Sequence, residues 1–183
     1  MVDDATAGSF VLIWPRLRPA QYNSLNGGAL ERYARGRWLE MTDVPRIVRP
    51  MRVDIDDLPE LGVRSKCLGV REPGNADVDL DDSGNVKLNG RGLSVVADWR
   101  LLPGFLVPEH LEDEFNGASG KGIRIFVHGS QGFAEGDVAE GLFLRHKPRN
   151  NQAGNVTPTV SVSLPQFQED IQATRAAWVI DES

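Results

Sequence analysis

Two glutamates, Glu135 and Glu140, stand beside glycines in the run 129–141 of this chain. Carboxylates on a glycine-rich connection near a cleft can pass a proton or steady a positive oxocarbenium ion. The plainer alternative is a pair of solvated loop acids. A second concentration of reactive side chains is cationic. Residues 10–52 carry eight arginines, Arg16 and Arg18 among them, against Glu31, Glu40 and Asp43, for a net +5. The planar guanidinium pairs with phosphate in a bidentate way, which lysine cannot do. The run therefore reads either as an arginine-lined cleft for an anion such as a dinucleotide pyrophosphate, or as a solvated face. In the second case it would balance the acidic stretch 54–82, whose net charge is −6. Trp99, in Ala97-Asp98-Trp99-Arg100, leaves a strand for a loop. It is either a packing residue or a platform on which nicotinamide or adenine could stack.

Other constellations are weaker. Asp79–Gly84 matches the first half of a calcium loop, but the twelfth position is Gly90 where a bidentate glutamate is required, so a hairpin turn is the better reading. His128 and His146 close two predicted strands and could meet, yet a zinc site needs a third ligand and a second shell; no metal is expected. Cys67 follows Arg64 and Lys66, a setting that lowers a thiol pKa, but no partner base is evident. The sequence has no Gly-x-Ser-x-Gly elbow, phosphate loop, His-Glu-x-x-His or Cys-x-x-Cys, which removes several large enzyme classes.

These residues need a scaffold. A chain of 183 residues with 40% hydrophobic and 25% charged residues suffices for one folded domain, 1–183, with a less regular acidic segment at 54–91. Its net charge of −6 argues against nucleic acid as a partner. The longest apolar run, Phe10–Trp14, is far too short to span a bilayer, so no membrane is expected. The opening Met-Val-Asp-Asp is not a secretory leader, and a lone cysteine fits a reducing compartment. The expectation is a cytoplasmic protein, with delivery into a target cell without a cleaved signal as a compatible route.

Along the chain, Ser9–Trp14 predicts a strand and residues 30–38 a short helix. Pro50 marks 46–53 as an edge strand or irregular segment. Residues 78–88 read as a hairpin, and 92–97, 123–127, 142–145 and 157–162 as strands, with 129–141 a loop between two of them. Pro108 opens a short helix through Phe115. The clearest element is the last. Ser163-Leu164-Pro165-Gln166 fits a capping box, and Phe167, Ile171, Thr174 and Trp178 form one apolar stripe. The fold class expected is α+β: a mixed sheet with two or three helices.

The order of these pieces resembles the ADP-ribosyltransferase-like toxin domain of a type VI secretion effector family. The matching pieces are Leu12–Arg16 as a strand ending in arginine, Gly92-Leu93-Ser94-Val95, Ile123–Val127 with Gly141–Leu144, and Val156–Pro158 before a helix. The chain departs from that pattern at Gln152-Ala153-Gly154-Asn155, where relatives carry a histidine. The resemblance implies a bent, split sheet that binds NAD in a cleft, with Arg16 on ribose or phosphate and Ser94 supporting the nicotinamide ribose. It also implies a protein target or an immunity protein as partner. Breaking the nicotinamide–ribose bond requires positioning and negative charge near the anomeric carbon. Arg16, Arg18, Ser94 and one of Glu135 or Glu140 would supply these parts. A catalytically inactive interaction module on the same sheet is the alternative.

Overall fold

The structure is a computed structural model that describes residues 45–71 and 77–183. Arg16, Arg18, the predicted first strand and the helix at 30–38 lie outside the described residues. Seven strands follow in order: β1 (Arg46–Met51), β2 (Leu93–Val96), β3 (Arg124–Gly132), β4 (Gly136–Ala139), β5 (Leu142–Lys147), β6 (Asn150–Pro158) and β7 (Trp178–Ile180). They form one sheet in the order β4-β5-β6-β2-β1-β3-β7, and every paired neighbour is antiparallel. One α-helix, α1 (Leu164–Ala173), and short 3-10 turns complete the described residues. The described part is mostly sheet, a looser fit to α+β than expected, and its ladders are antiparallel, not mixed.

Alternation along the strands sorts side chains onto two faces. Ile47, Met51, Leu93, Val95, Phe126, Leu142, Leu144 and Val156 face the larger core, which Phe167, Ile171 and Trp178 close from the C-terminal end. On the opposite face, Val48, Ile125 and Val127 meet Trp99, Leu102, Val107 and Leu111 in a smaller core. The residues between β2 and β3 supply that cover. They form 3-10 turns, Glu109–Leu111 among them, where a helix through Phe115 was predicted. Their main-chain bonds run three residues back, from Leu111 to Pro108 and from Glu112 to Glu109, which is the 3-10 pattern.

Pro50 does not mark an edge. β1 lies between β2 and β3, and Pro50 stands opposite Ile125. The Arg46 amide donates to the Ala97 carbonyl at 3.2 Å, so even-numbered residues of β1 turn their main-chain groups toward β2. The pairing of Val48 with Val96, extended by two residues, sets Pro50 opposite Ser94. Proline has no N–H to give there, and β1 and β2 pair at that one register alone.

Two further boundaries differ from expectation. β3 continues to Gly132 and β4 occupies Gly136–Ala139, so most of 129–141 is strand. The strand predicted at 157–162 is β6, shifted to Asn150–Pro158, because polar residues flanked by strands on both sides can form ladders that composition does not reveal. The C-terminal reading stands closer. The Gln166 amide donates to Ser163 Oγ at 3.4 Å, although the Gln166 side chain turns to Asp170 and not back to the cap. Phe167, Ile171, Thr174 and Trp178 are all buried, with Trp178 opening β7.

The acidic segment is tied down by partners distant in sequence or local to it. Arg175 donates to Asp54, Asp56 and the Pro59 carbonyl at 2.8–2.9 Å. Arg91 bonds Asp79, and the Leu80–Val86 bridge closes the predicted hairpin. Asp77 takes a bidentate contact from Arg71.

His128, on β3, is buried with its ring edge-on to Trp178 at 5.0 Å between centroids, and its Nδ1 has no hydrogen-bond partner among the described residues. Burial depresses its pKa below the ordinary 6.5. The unfolded chain therefore binds a proton that the folded chain refuses, so stability is complete above pH 6.5 and declines as pH falls below it. Asp77 and Asp181, held below 3.8 in the fold, act only nearer that value. We expect the urea midpoint to fall between about pH 6.5 and pH 5, and His128→Leu to flatten that decline. An unchanged slope in the variant would exclude His128 as its source.

Candidate functional site

Ser94 lies on β2 between Leu93 and Val95, whose side chains enter the larger core. Its own side chain is therefore turned to the opposite face, where it is exposed. The smaller core covers that face over β1, β3 and Val96 at the end of β2, but includes no residue at Ser94 or on β6 and β5. Across the uncovered part, Ser94 stands directly opposite Asn155 of β6, and Asn155 opposite Arg145 of β5. Residues opposite one another share a face and approach closely. A hydroxyl, a carboxamide and a guanidinium thus form one row. Ser94 Oγ donates to Asn155 Oδ1 at 3.1 Å, and Asn155 Nδ2 donates to the Gly90 carbonyl at 2.7 Å, which fixes the amide orientation. The Arg145 guanidinium lies over the ring of Phe143, 5.0 Å from its centroid, on the same face.

The glycine of Gly92-Leu93-Ser94 has a packing reason. A Cβ at Gly92 would sit 2.0 Å from the Val156 carbonyl oxygen, so only glycine lets β2 close onto β6 at the level that places Ser94 opposite Asn155.

Behind Ser94 lies an arginine that the sequence reading did not single out. Arg49, opposite Phe126 on β1, rises from the larger-core face and is 7% exposed. Its Nη1 donates to the Ser94 carbonyl at 2.6 Å and its Nη2 to the Ser65 carbonyl at 3.2 Å. The Ser94 carbonyl is the group left without a partner by Pro50. Burial lowers the Arg49 pKa to about 10, with Asp77 opposing and Arg71 reinforcing the shift. Arg49 reaches the main chain of Ser94 and not its hydroxyl. The one signal for it in the sequence is its place directly before a proline in an apolar strand.

The remaining candidates do not gather here. The Glu135 carboxylate accepts the His146 amide at 2.9 Å, two strands from β2 and so on the order of 10 Å from Ser94. Glu140 occupies the β4–β5 turn, about 15 Å along the strand from the level of Arg145. Neither acid reaches Ser94, and the two do not form a pair. Trp99 is buried in the smaller core, with Nε1 on the Ser183 carbonyl and Arg100 over its ring, so it offers no stacking platform. Cys67 is also buried, and burial with nearby Glu60 raises its pKa, opposite to the shift expected from Arg64 and Lys66. His128 packs on Trp178 and His146 on Phe133, so the two histidines have separate neighbours. Among the described residues no group of metal-ligating side chains gathers, and no helix is long and apolar enough to cross a membrane.

Comparison of the chain with protein-family models, with curated proteins and with solved structures finds no match in any of the three.

Replacing Arg49 by methionine keeps the length of the stem but removes both donors. Each abandoned buried carbonyl costs about 1–3 kcal/mol, so chemical denaturation of Arg49→Met should show a loss of at least that order. A midpoint equal to that of the parent would mean that water satisfies both carbonyls.

Proposed function

We propose that this chain is an ADP-ribosyltransferase-like domain that binds NAD across the exposed face of β2, β6 and β5, as part of a toxin or effector acting on a cellular protein. The observation that carries this reading is the row Ser94, Asn155 and Arg145 beside the Phe143 ring. A dinucleotide presents ribose hydroxyls, a pyrophosphate and flat heterocycles. The row offers a hydroxyl and an amide for the first and a guanidinium, held over Phe143, for the second. The role first expected of Arg16 on the phosphate passes in this reading to Arg145. The buried Arg49 places positive charge behind the strand that carries Ser94.

A second reading has a specific observation in its favour. Glu135 lies on the order of 10 Å from Ser94 and Glu140 sits at the far β4–β5 turn, so neither of these two acids touches a ribose held at Ser94. Removing one well-placed electrostatic group costs about 3–4 kcal/mol at a barrier. A domain that binds the dinucleotide without cleaving it would then act as an interaction module on the same sheet.

Calorimetry with oxidised NAD, together with an assay for released nicotinamide, separates the readings. Saturable binding weakened about tenfold by Arg145→Ala, a loss of roughly 1.4 kcal/mol, is expected. Nicotinamide release that depends on Ser94 favours the transferase, and binding without release favours the module. Absence of heat at millimolar dinucleotide would overturn both.

A further inference from the structure

A second site lies away from the Ser94 row. Val53, just beyond β1, together with Glu109, His110, Gly120, Gly122, Ile123 and Arg124, lines a cleft of about 380 Å³. That volume falls within the range of small-molecule pockets. Gly122 has a φ of +63° and a Cβ there would meet nothing within 4 Å, so the rim is bare at that point.

The charged groups of the cleft are arranged around Glu182. This carboxylate is 16% exposed and accepts the Ile125 amide at 3.2 Å and Arg124 Nη1 at 2.8 Å, with His110 Nε2 2.9 Å away; a proton on Nε2 makes it the third donor. Arg124 Nη1 and His110 Nε2 lie 2.9 Å from each other. With its Nε2 proton given to Glu182, His110 leaves Nδ1 unengaged by that contact. Arg124 is held through Nη1 alone; its Nη2 and Nε have no acceptor among the described residues. That is the edge of a guanidinium that takes an oxyanion in a bidentate way. Because Glu182 and His110 already fix the orientation of the side chain, less rotamer freedom is lost when an anion binds.

We propose that this cleft binds a small phosphate-bearing molecule, with Arg124 as its bidentate anchor and Glu182 and His110 as positioning residues. Glu182, paired with Arg124, and Glu109 both oppose the anion electrostatically; Glu109 is exposed and its carboxylate remains in water. The opposition limits affinity and gives the proposal a signed test. This site shares no residue with the Ser94, Asn155 and Arg145 row, so either can fail without the other.

The test is an NMR titration of the full chain with inorganic phosphate, following the His110 ring and the Arg124 Nε–H signals. Saturating shifts are expected at both, with the dissociation constant raised about tenfold or more in Arg124→Gln. Arg124→Lys keeps the charge but loses the fork and should fall between the two. Glu109→Gln should tighten binding severalfold, and being exposed it leaves the fold in place. Shifts that grow linearly without saturation in the parent, or equal affinity in Arg124→Gln, would overturn the site. Parent-like affinity in Arg124→Lys would overturn the bidentate geometry, and unchanged affinity in Glu109→Gln would place the anion outside this cleft.

Discussion

An interior strand that contains proline leaves a main-chain carbonyl across the gap without its donor. Here the strand is β1 and the carbonyl belongs to Ser94. A buried unsatisfied carbonyl is costly, and the neighbouring Arg49 satisfies it by folding its guanidinium back over the gap at 2.6 Å. The same guanidinium reaches Ser65, so the loop before Cys67 is fastened at this point as well. Charge is retained in the interior because two carbonyl dipoles and the more distant Asp77 compensate it, at the expense of a lowered pKa. The joint between the two halves of the sheet thus rests on a side chain where a ladder would otherwise run.

This joint also determines what the sheet can display. β1 and β3 carry valines and isoleucine toward the smaller core, and the turns between β2 and β3 cover them. β2, β6 and β5 carry serine, asparagine and arginine on the corresponding face, and none of these belongs to that core. One face is consequently apolar over β1, β3 and Val96 and polar along the row Ser94, Asn155 and Arg145. Gly92 allows the close approach of β2 and β6 that sets the hydroxyl of Ser94 beside the amide of Asn155.

The C-terminal segment acts as a fastener. Trp178 closes the larger core, Arg175 holds the acidic loop through Asp54 and Asp56, Asp181 pairs with Arg46, and Glu182 organises Arg124 and His110. These contacts join residues more than 50 positions apart, with His110–Glu182 separated by 72 and Arg46–Asp181 by 135. The acidic stretch, which composition marks as the least regular part, is tied by one partner within it, Arg71, and by two further along the chain, Arg91 and Arg175. Its described ion pairs run to Arg71, Arg91 and Arg175, not to the arginines of β1.

By itself the sequence determined the features governed by local periodicity and turn chemistry. The capped helix with its stripe through Ile171, the hairpin about Asp81–Asn85, and strands at Leu93–Val96 and Leu142–Lys147 all follow from alternation, capping residues and glycine placement. Tertiary structure decided what depends on neighbours. It made the polar run Asn150–Asn155 a strand, because ladders on both sides satisfy its main chain regardless of side-chain hydropathy. It put a proline-bearing strand in the interior, because an arginine could substitute for the missing N–H. It also set Asn155 directly beside Ser94, with Arg145 one strand further along the same row, and left Glu140 at the far β4–β5 turn. Register decides which side chains meet, and register is a property of paired strands that no single strand encodes.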